Sequence, residues 1–207
     1  MSKLYIVGIG PGSREYLTLK AIKAVESSDM VIGSPRALDL FDDVEVDQRE
    51  LGTENMKTML EFAVSRVREG KSVSLLSTGD PGFSGVLKPV LKLSGDIELE
   101  VIPGISSVQM CASKLQIPWD DADLVTLHGK GISNDILKVL DNGRPTIILP
   151  DFKVNELANY LLKEGVDPGR RVAVCEKLSY SDEKVMTITL KDILDYEFSY
   201  MCVMVVY

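Results

Sequence analysis

The 207 residues carry 23 Lys and Arg against 31 Asp and Glu, a formal net charge of −8, with 45% hydrophobic and 6% aromatic residues. An acidic chain with few aromatics and no basic block is a poor match for nucleic acid, and no apolar run reaches the length of a membrane span, so neither is an expected partner. Cys111, Cys175 and Cys202 lie far apart, make no zinc spacing, and are odd in number; they read as free thiols in a cytoplasmic protein rather than as a disulfide framework.

Residues 4–9 are a short apolar run closed by glycines, which predicts a buried strand reached with no signal peptide before it. Ser13 is placed to cap a helix whose stripe is Leu17, Ala21, Ile22, Ala24 and Val25. A brief strand over 30–32, a helix over 55–68, a strand over 72–76, a helix over 85–93 broken early by Pro89, a strand over 97–102 and a helix over 105–114 follow. Residues 115–122, with Pro118 and several acids, read as a connector. The pattern then restarts, with strands over 123–127 and 146–149 and helices over 134–140 and 154–163. Strands over 171–177 and 184–190, a short helix over 191–195 and a strand over 200–206 complete the chain.

Regular alternation of strands and helices favours a mostly parallel sheet in the first half. Three strand-like segments near the end favour a mixed sheet in the second. The expected fold is therefore α/β with two domains, 1–113 and 114–207, and ligand loops at strand ends.

Four segments stand at such ends. Gly8-x-Gly10-x-Gly12 suggests a dinucleotide fingerprint, but the third glycine comes too early, no acid closes the second strand, and Pro11 removes a backbone donor. A tight turn that walls a cleft, built on positive φ, fits better than a phosphate cradle. Gly79-Asp80-Pro81-Gly82 is either a plain turn or a loop whose acid grips hydroxyls or an ammonium, with Phe83 as core or apolar wall. Pro103-Gly104-Ile105-Ser106-Ser107 opens a helix with free amides and two hydroxyls, one of them an N-cap. The fourth runs from Cys175 through Glu176, Lys177, Leu178, Ser179 and Tyr180; Glu176 and the nearby Asp182 read as solvated or capping. The single histidine, His128, sits in Leu127-His128-Gly129-Lys130 with no triad partner and no second metal ligand in sequence, so it is at once a structural residue and a candidate base.

In this order and spacing, and over nearly the whole chain, the segments resemble the tetrapyrrole (class III) methyltransferases. Gly33-Ser34-Pro35-Arg36, Leu127-His128-Gly129-Lys130 and the run from Cys175 to Glu183 point to the branch that methylates carbon 5 of cobalt-precorrin-7. The resemblance implies S-adenosylmethionine (SAM) as donor, S-adenosylhomocysteine as product, no protein-bound metal, and an active site in the cleft between the two domains. It implies Pro11, Gly79, Asp80, Phe83, Ser106, Ser107, Leu149 and Pro150 around the donor, and Gly10, Ser34, Arg36, Lys130 and Lys177 toward an anionic corrinoid. It further implies a homodimer, and a separate protein for methylation of carbon 15 with decarboxylation, since the sequence stops at Tyr207. A different precorrin or uroporphyrinogen as acceptor, or a non-catalytic nucleotide-binding module, are the alternatives. Because a chain of charge −8 repels a polycarboxylate, binding requires local cations, for which Arg14, Arg36, Lys130 and Lys177 are the candidates.

Overall fold

Five short strands all run in one direction in the first half of the chain. The computed structural model describes residues 2–151 and 153–207, and they divide into two compact units between Ser106 and Ser107.

The first unit runs β1 (Leu4–Gly8), α1 (Leu19–Glu26), β2 (Met30–Gly33), α2 (Pro35–Leu38), β3 (Asp47–Glu50), α3 (Met56–Arg68), β4 (Val73–Ser77), α4 (Leu87–Leu91) and β5 (Leu99–Ile102). The sheet order is β3-β2-β4-β1-β5. Side chains alternate across each strand, so Leu4 and Ile6 pack with Leu60, Val64 and Leu75 in one core. Val7 packs on the opposite face with Val25, Phe41 and Leu76. Sheets covered on both faces have near-continuous apolar strands, and β4 is buried along its whole length.

Three expectations change here. Ser13 caps only a 3₁₀ turn, Arg14–Tyr16, while Thr18 caps α1 through the Ala21 N–H at 3.1 Å. The helix expected over 85–93 shrinks to α4, Leu87–Leu91. The edge strand β3, Asp-Gln-Arg-Glu, and the four-residue α2 lack apolar periodicity and were not expected.

The second unit runs α5 (Ser107–Leu115), β6 (Asp123–Thr126), α6 (Asp135–Leu140), β7 (Thr146–Leu149), α7 (Val154–Lys163), β8 (Arg171–Glu176), β9 (Lys184–Thr189) and β10 (Cys202–Val206). Its sheet order is β6-β7-β10-β8-β9. β6 and β7 are parallel, whereas β10 runs antiparallel to both β7 and β8, and β8 to β9. One core joins Leu127, Ile136, Leu157, Leu161, Val174 and Met204. Helix α5 packs on β7 and β10, which is why the division falls before it and not at the 113–122 connector. No helix of the described residues is long and apolar enough to cross a membrane.

Candidate functional site

In the first unit the chain leaves β1 for one side of the sheet and returns to the other side as β5. Open α/β sheets bind ligands at the carboxyl ends of strands where this order reverses. The loops after β1, β4 and β5 meet there, backbone against backbone. Gly10 and Gly79 exchange hydrogen bonds, with N–H to O distances of 3.3 and 2.7 Å. A Cβ on Gly8 would lie 2.4 Å from the Gly104 nitrogen, and one on Gly104 would lie 2.2 Å from the Gly79 oxygen. Only glycine permits so close an approach. Gly10 (φ 75°) and Gly79 (φ 68°) also occupy the left-handed region, as the tight-turn reading requires.

Asp80 ties the assembly together. Its Oδ1 accepts the Gly82 N–H at 2.8 Å and its Oδ2 accepts the Gly104 N–H at 3.2 Å. The carboxylate is thus first a staple between two loops, with one lone pair on each oxygen left for a ligand. Pro11 and Ser106 are buried, and Phe83 is half-buried. Ser107 is the first residue of α5 and belongs to the second unit. Ser34 holds the N-cap position of α2 at the carboxyl end of β2, and Arg36 is exposed two residues on. The stretches 9–13, 78–85 and 103–106 contain one carboxylate and no Lys, Arg or His. Such a set suits a cationic ligand and lacks the cations that a polyphosphate would seek, which agrees with the failed dinucleotide fingerprint.

In the second unit, β7 and β8 are both antiparallel to β10, so they point the same way. Their carboxyl ends and that of β6 therefore share one edge, which gathers His128, Lys130, Leu149, Pro150 and Lys177. His128 Nδ1 lies 3.1 Å from the Pro150 carbonyl oxygen and 3.5 Å from Asp151 Oδ1. Asp151 Oδ2 accepts the Gly129 N–H at 2.8 Å. Sequence reasoning missed Asp151; its only signal is an acid directly after the Leu149-Pro150 strand end.

The cations are distributed unevenly. Arg14 forms a two-pronged pair with Asp43 at 2.8 and 2.7 Å. The hydrogen bond that Lys177 donates to Asp182 raises the Lys177 amine above its ordinary value, and Lys177 lowers Asp182 in return. Asp182 is therefore neither simply solvated nor a cap. Glu176 is buried, correcting its solvated reading, and caps the chain by accepting the Ser199 N–H at 2.7 Å. Lys130 is exposed and makes no ion pair among the described residues.

Comparison with known proteins gives the family of the chain. A family model described as tetrapyrrole (corrin/porphyrin) methylases matches residues 3–194. A probable cobalt-precorrin-7 C(5)-methyltransferase from Methanocaldococcus jannaschii is 44% identical over 205 residues, 98% of this chain and 96% of that protein. The crystal structure of a cobalamin biosynthesis precorrin-6Y methylase from Archaeoglobus fulgidus superposes with a TM-score of 0.77 at 26% identity, covering 99% of this chain and 97% of the other. A uroporphyrin-III C-methyltransferase from Thermus thermophilus, solved with S-adenosylhomocysteine, shares the fold at a TM-score of 0.78 and 23% identity over 99% and 92% of the two chains.

Proposed function

The chain belongs to the tetrapyrrole methylases, and on that premise we propose that it transfers the methyl group of SAM to carbon 5 of cobalt-precorrin-7 in corrin-ring synthesis. The observation that carries the acceptor and its position is the 44% identity to a C(5)-methyltransferase over almost the full length of both proteins. The donor rests on the cation-free loops after β1, β4 and β5, together with the relative that binds S-adenosylhomocysteine.

SAM supplies an activated methyl on a sulfonium, so the chain need not offer a nucleophile. Its residues bind, align and exclude water. Pro11, Gly79, Asp80, Phe83, Ser106, Ser107, Leu149 and Pro150 would hold the donor. Hydroxyls and backbone groups suit its ribose and amino-acid ends. Gly10, Ser34, Arg36 and Lys130 would face the acidic macrocycle; Lys177, already paired with Asp182, contributes less charge than its position suggests. Replacing hydrogen by methyl on a ring carbon releases a proton, and His128 is the base in this reading. The reading includes a homodimer and a cytoplasmic location, where three buried thiols stay reduced.

Incubation with methyl-labelled SAM and cobalt-precorrin-7 should place the label on carbon 5, located by carbon NMR of the product. Label on another ring carbon would overturn the assigned position. Affinity for NAD or ATP with none for SAM, measured by calorimetry, would overturn the methyltransferase itself.

A further inference from the structure

His128 Nδ1 faces two groups that only accept hydrogen bonds: the Pro150 carbonyl at 3.1 Å and the Asp151 carboxylate at 3.5 Å. In the neutral ring Nδ1 therefore carries the hydrogen, and Nε2 keeps its lone pair. Asp151 is itself held by its second oxygen, which accepts the Gly129 N–H at 2.8 Å. The loop that carries His128 and the acid that faces it are thus fastened to each other across β6 and β7. The backbone adds one more tie, from the Leu127 N–H to the Leu149 oxygen at 3.0 Å, and the Lys130 N–H closes the His128 turn on the Leu127 oxygen at 2.9 Å.

We propose that Asp151 is a positioning residue for methyl transfer: with the Pro150 carbonyl it fixes His128 as the Nδ1–H tautomer and steadies the imidazolium that forms when Nε2 takes the proton from the methylated carbon. The proposal rests on the carbon-5 reading above. In that step the carbon–sulfur bond breaks as the new carbon–carbon bond forms, and sulfur keeps the electron pair. The C–H pair then returns to the ring, the proton passes to Nε2, and water later removes it. An acid that orients a histidine and stabilises its protonated form is a recurrent device in other enzymes. Here the side chains of His128 and Asp151 remain 48% and 41% exposed, so solvent screens the pair and the effect is smaller than at a buried site.

Because His128 is the single histidine, nitrogen NMR of the labelled full chain reads its tautomer without ambiguity. In the wild type the neutral ring should be protonated at Nδ1. In Asp151→Asn the amide oxygen can still accept the Gly129 N–H, so thermal midpoint and SAM affinity by calorimetry should hold. Its NH₂ then faces Nδ1, the Nδ1–H fraction should fall, and kcat should drop about 10- to 50-fold at unchanged KM, within what a general base contributes. Asp151→Ala should lose loop order as well. A wild-type ring protonated mainly at Nε2, or an Asp151→Asn enzyme within twofold of wild-type kcat, overturns the positioning role alone. A wild-type chain that transfers no methyl to cobalt-precorrin-7 overturns the reading beneath it, and the role with it.

Discussion

Asp80 accepts two backbone amides from two different loops, so in the proposed reading it would serve the donor largely through the shape it imposes on those loops. Asparagine at this position keeps one acceptor and turns a donor toward the other amide. An unmade hydrogen bond at a half-buried site costs about 1–3 kcal/mol. Asp80→Asn should therefore lower the unfolding free energy by that amount, read from denaturant titration, and weaken SAM binding in parallel, as calorimetry would show. Loss of affinity at unchanged stability would mean instead that the carboxylate touches the ligand and that its structural bonds are dispensable. The position of this acid was legible in the sequence, because Gly79, Pro81 and Gly82 punctuate a strand end. Its partner Gly82 lies within that same turn, but its partner Gly104 was not legible, because it lies on another loop and only the fold brings it near. The same limit applies to Glu176, whose burial depends on the segment that returns before β10, and to Asp151, whose partner sits on a neighbouring strand. Lys177 looked available because its partner, Asp182, is reached only by a loop with left-handed backbone at Lys177 (φ 48°) and Ser179 (φ 70°).

At the scale of elements, the meeting of the β1, β4 and β5 loops leaves no room for a side chain. Gly104→Ala would set a methyl 2.2 Å from the Gly79 oxygen, and the backbones must part to admit it. Overpacking of this kind costs on the order of 3 kcal/mol. The expected outcome is a correspondingly lower urea midpoint and SAM affinity reduced at least tenfold. A variant with wild-type values of both would show that the three loops do not need this contact. Strands with apolar cores, and their glycine ends, were legible from pattern. The polar edge strand β3 was not, since its pairing with β2 is a backbone matter that side-chain alternation does not announce. Helix α5 was found but assigned to the wrong half, because its partners β7 and β10 lie far along the chain. That packing also produces a juxtaposition hidden in the sequence: Cys111 on α5 lies 3.2 Å, sulfur to sulfur, from Cys175 on β8. The hydrogen bond to Cys175 and burial raise the Cys111 thiol far above its ordinary range, and burial pushes Cys202 up to about 12. Only the thiolate is strongly nucleophilic. At pH 8 the native protein should thus label very slowly at Cys111 and Cys202 with a thiol reagent, and burial shields Cys175 from it, whereas the urea-unfolded chain should label at all three. Rapid stoichiometric labelling of the native protein would show that α5 opens readily from the sheet.

For the molecule as a whole, the division into an all-parallel and a mixed sheet followed from the order of segments alone, since βα alternation demands crossovers and three successive strands do not. Charge acts at the same scale. The chain carries −8, SAM carries a net single positive charge, and a corrin precursor carries several carboxylates. The long-range field therefore favours one substrate and opposes the other. Raising ionic strength from about 0.01 to 0.15 M shortens the screening length from about 30 to 8 Å. If the net charge governs the encounter, KM for SAM should rise and KM for the macrocycle should fall, each by roughly twofold to threefold. The opposite trend for the macrocycle, with tighter binding at low salt, would mean that cations close to the acceptor, Arg36 and Lys130 first among them, outweigh the field of the whole. The substitution Lys130→Gln separates the cases. In the field-dominated case it leaves the sign of the salt response unchanged. Where local charge dominates, it removes much of the low-salt advantage, because Lys130 makes no ion pair among the described residues and its charge is available to the acceptor.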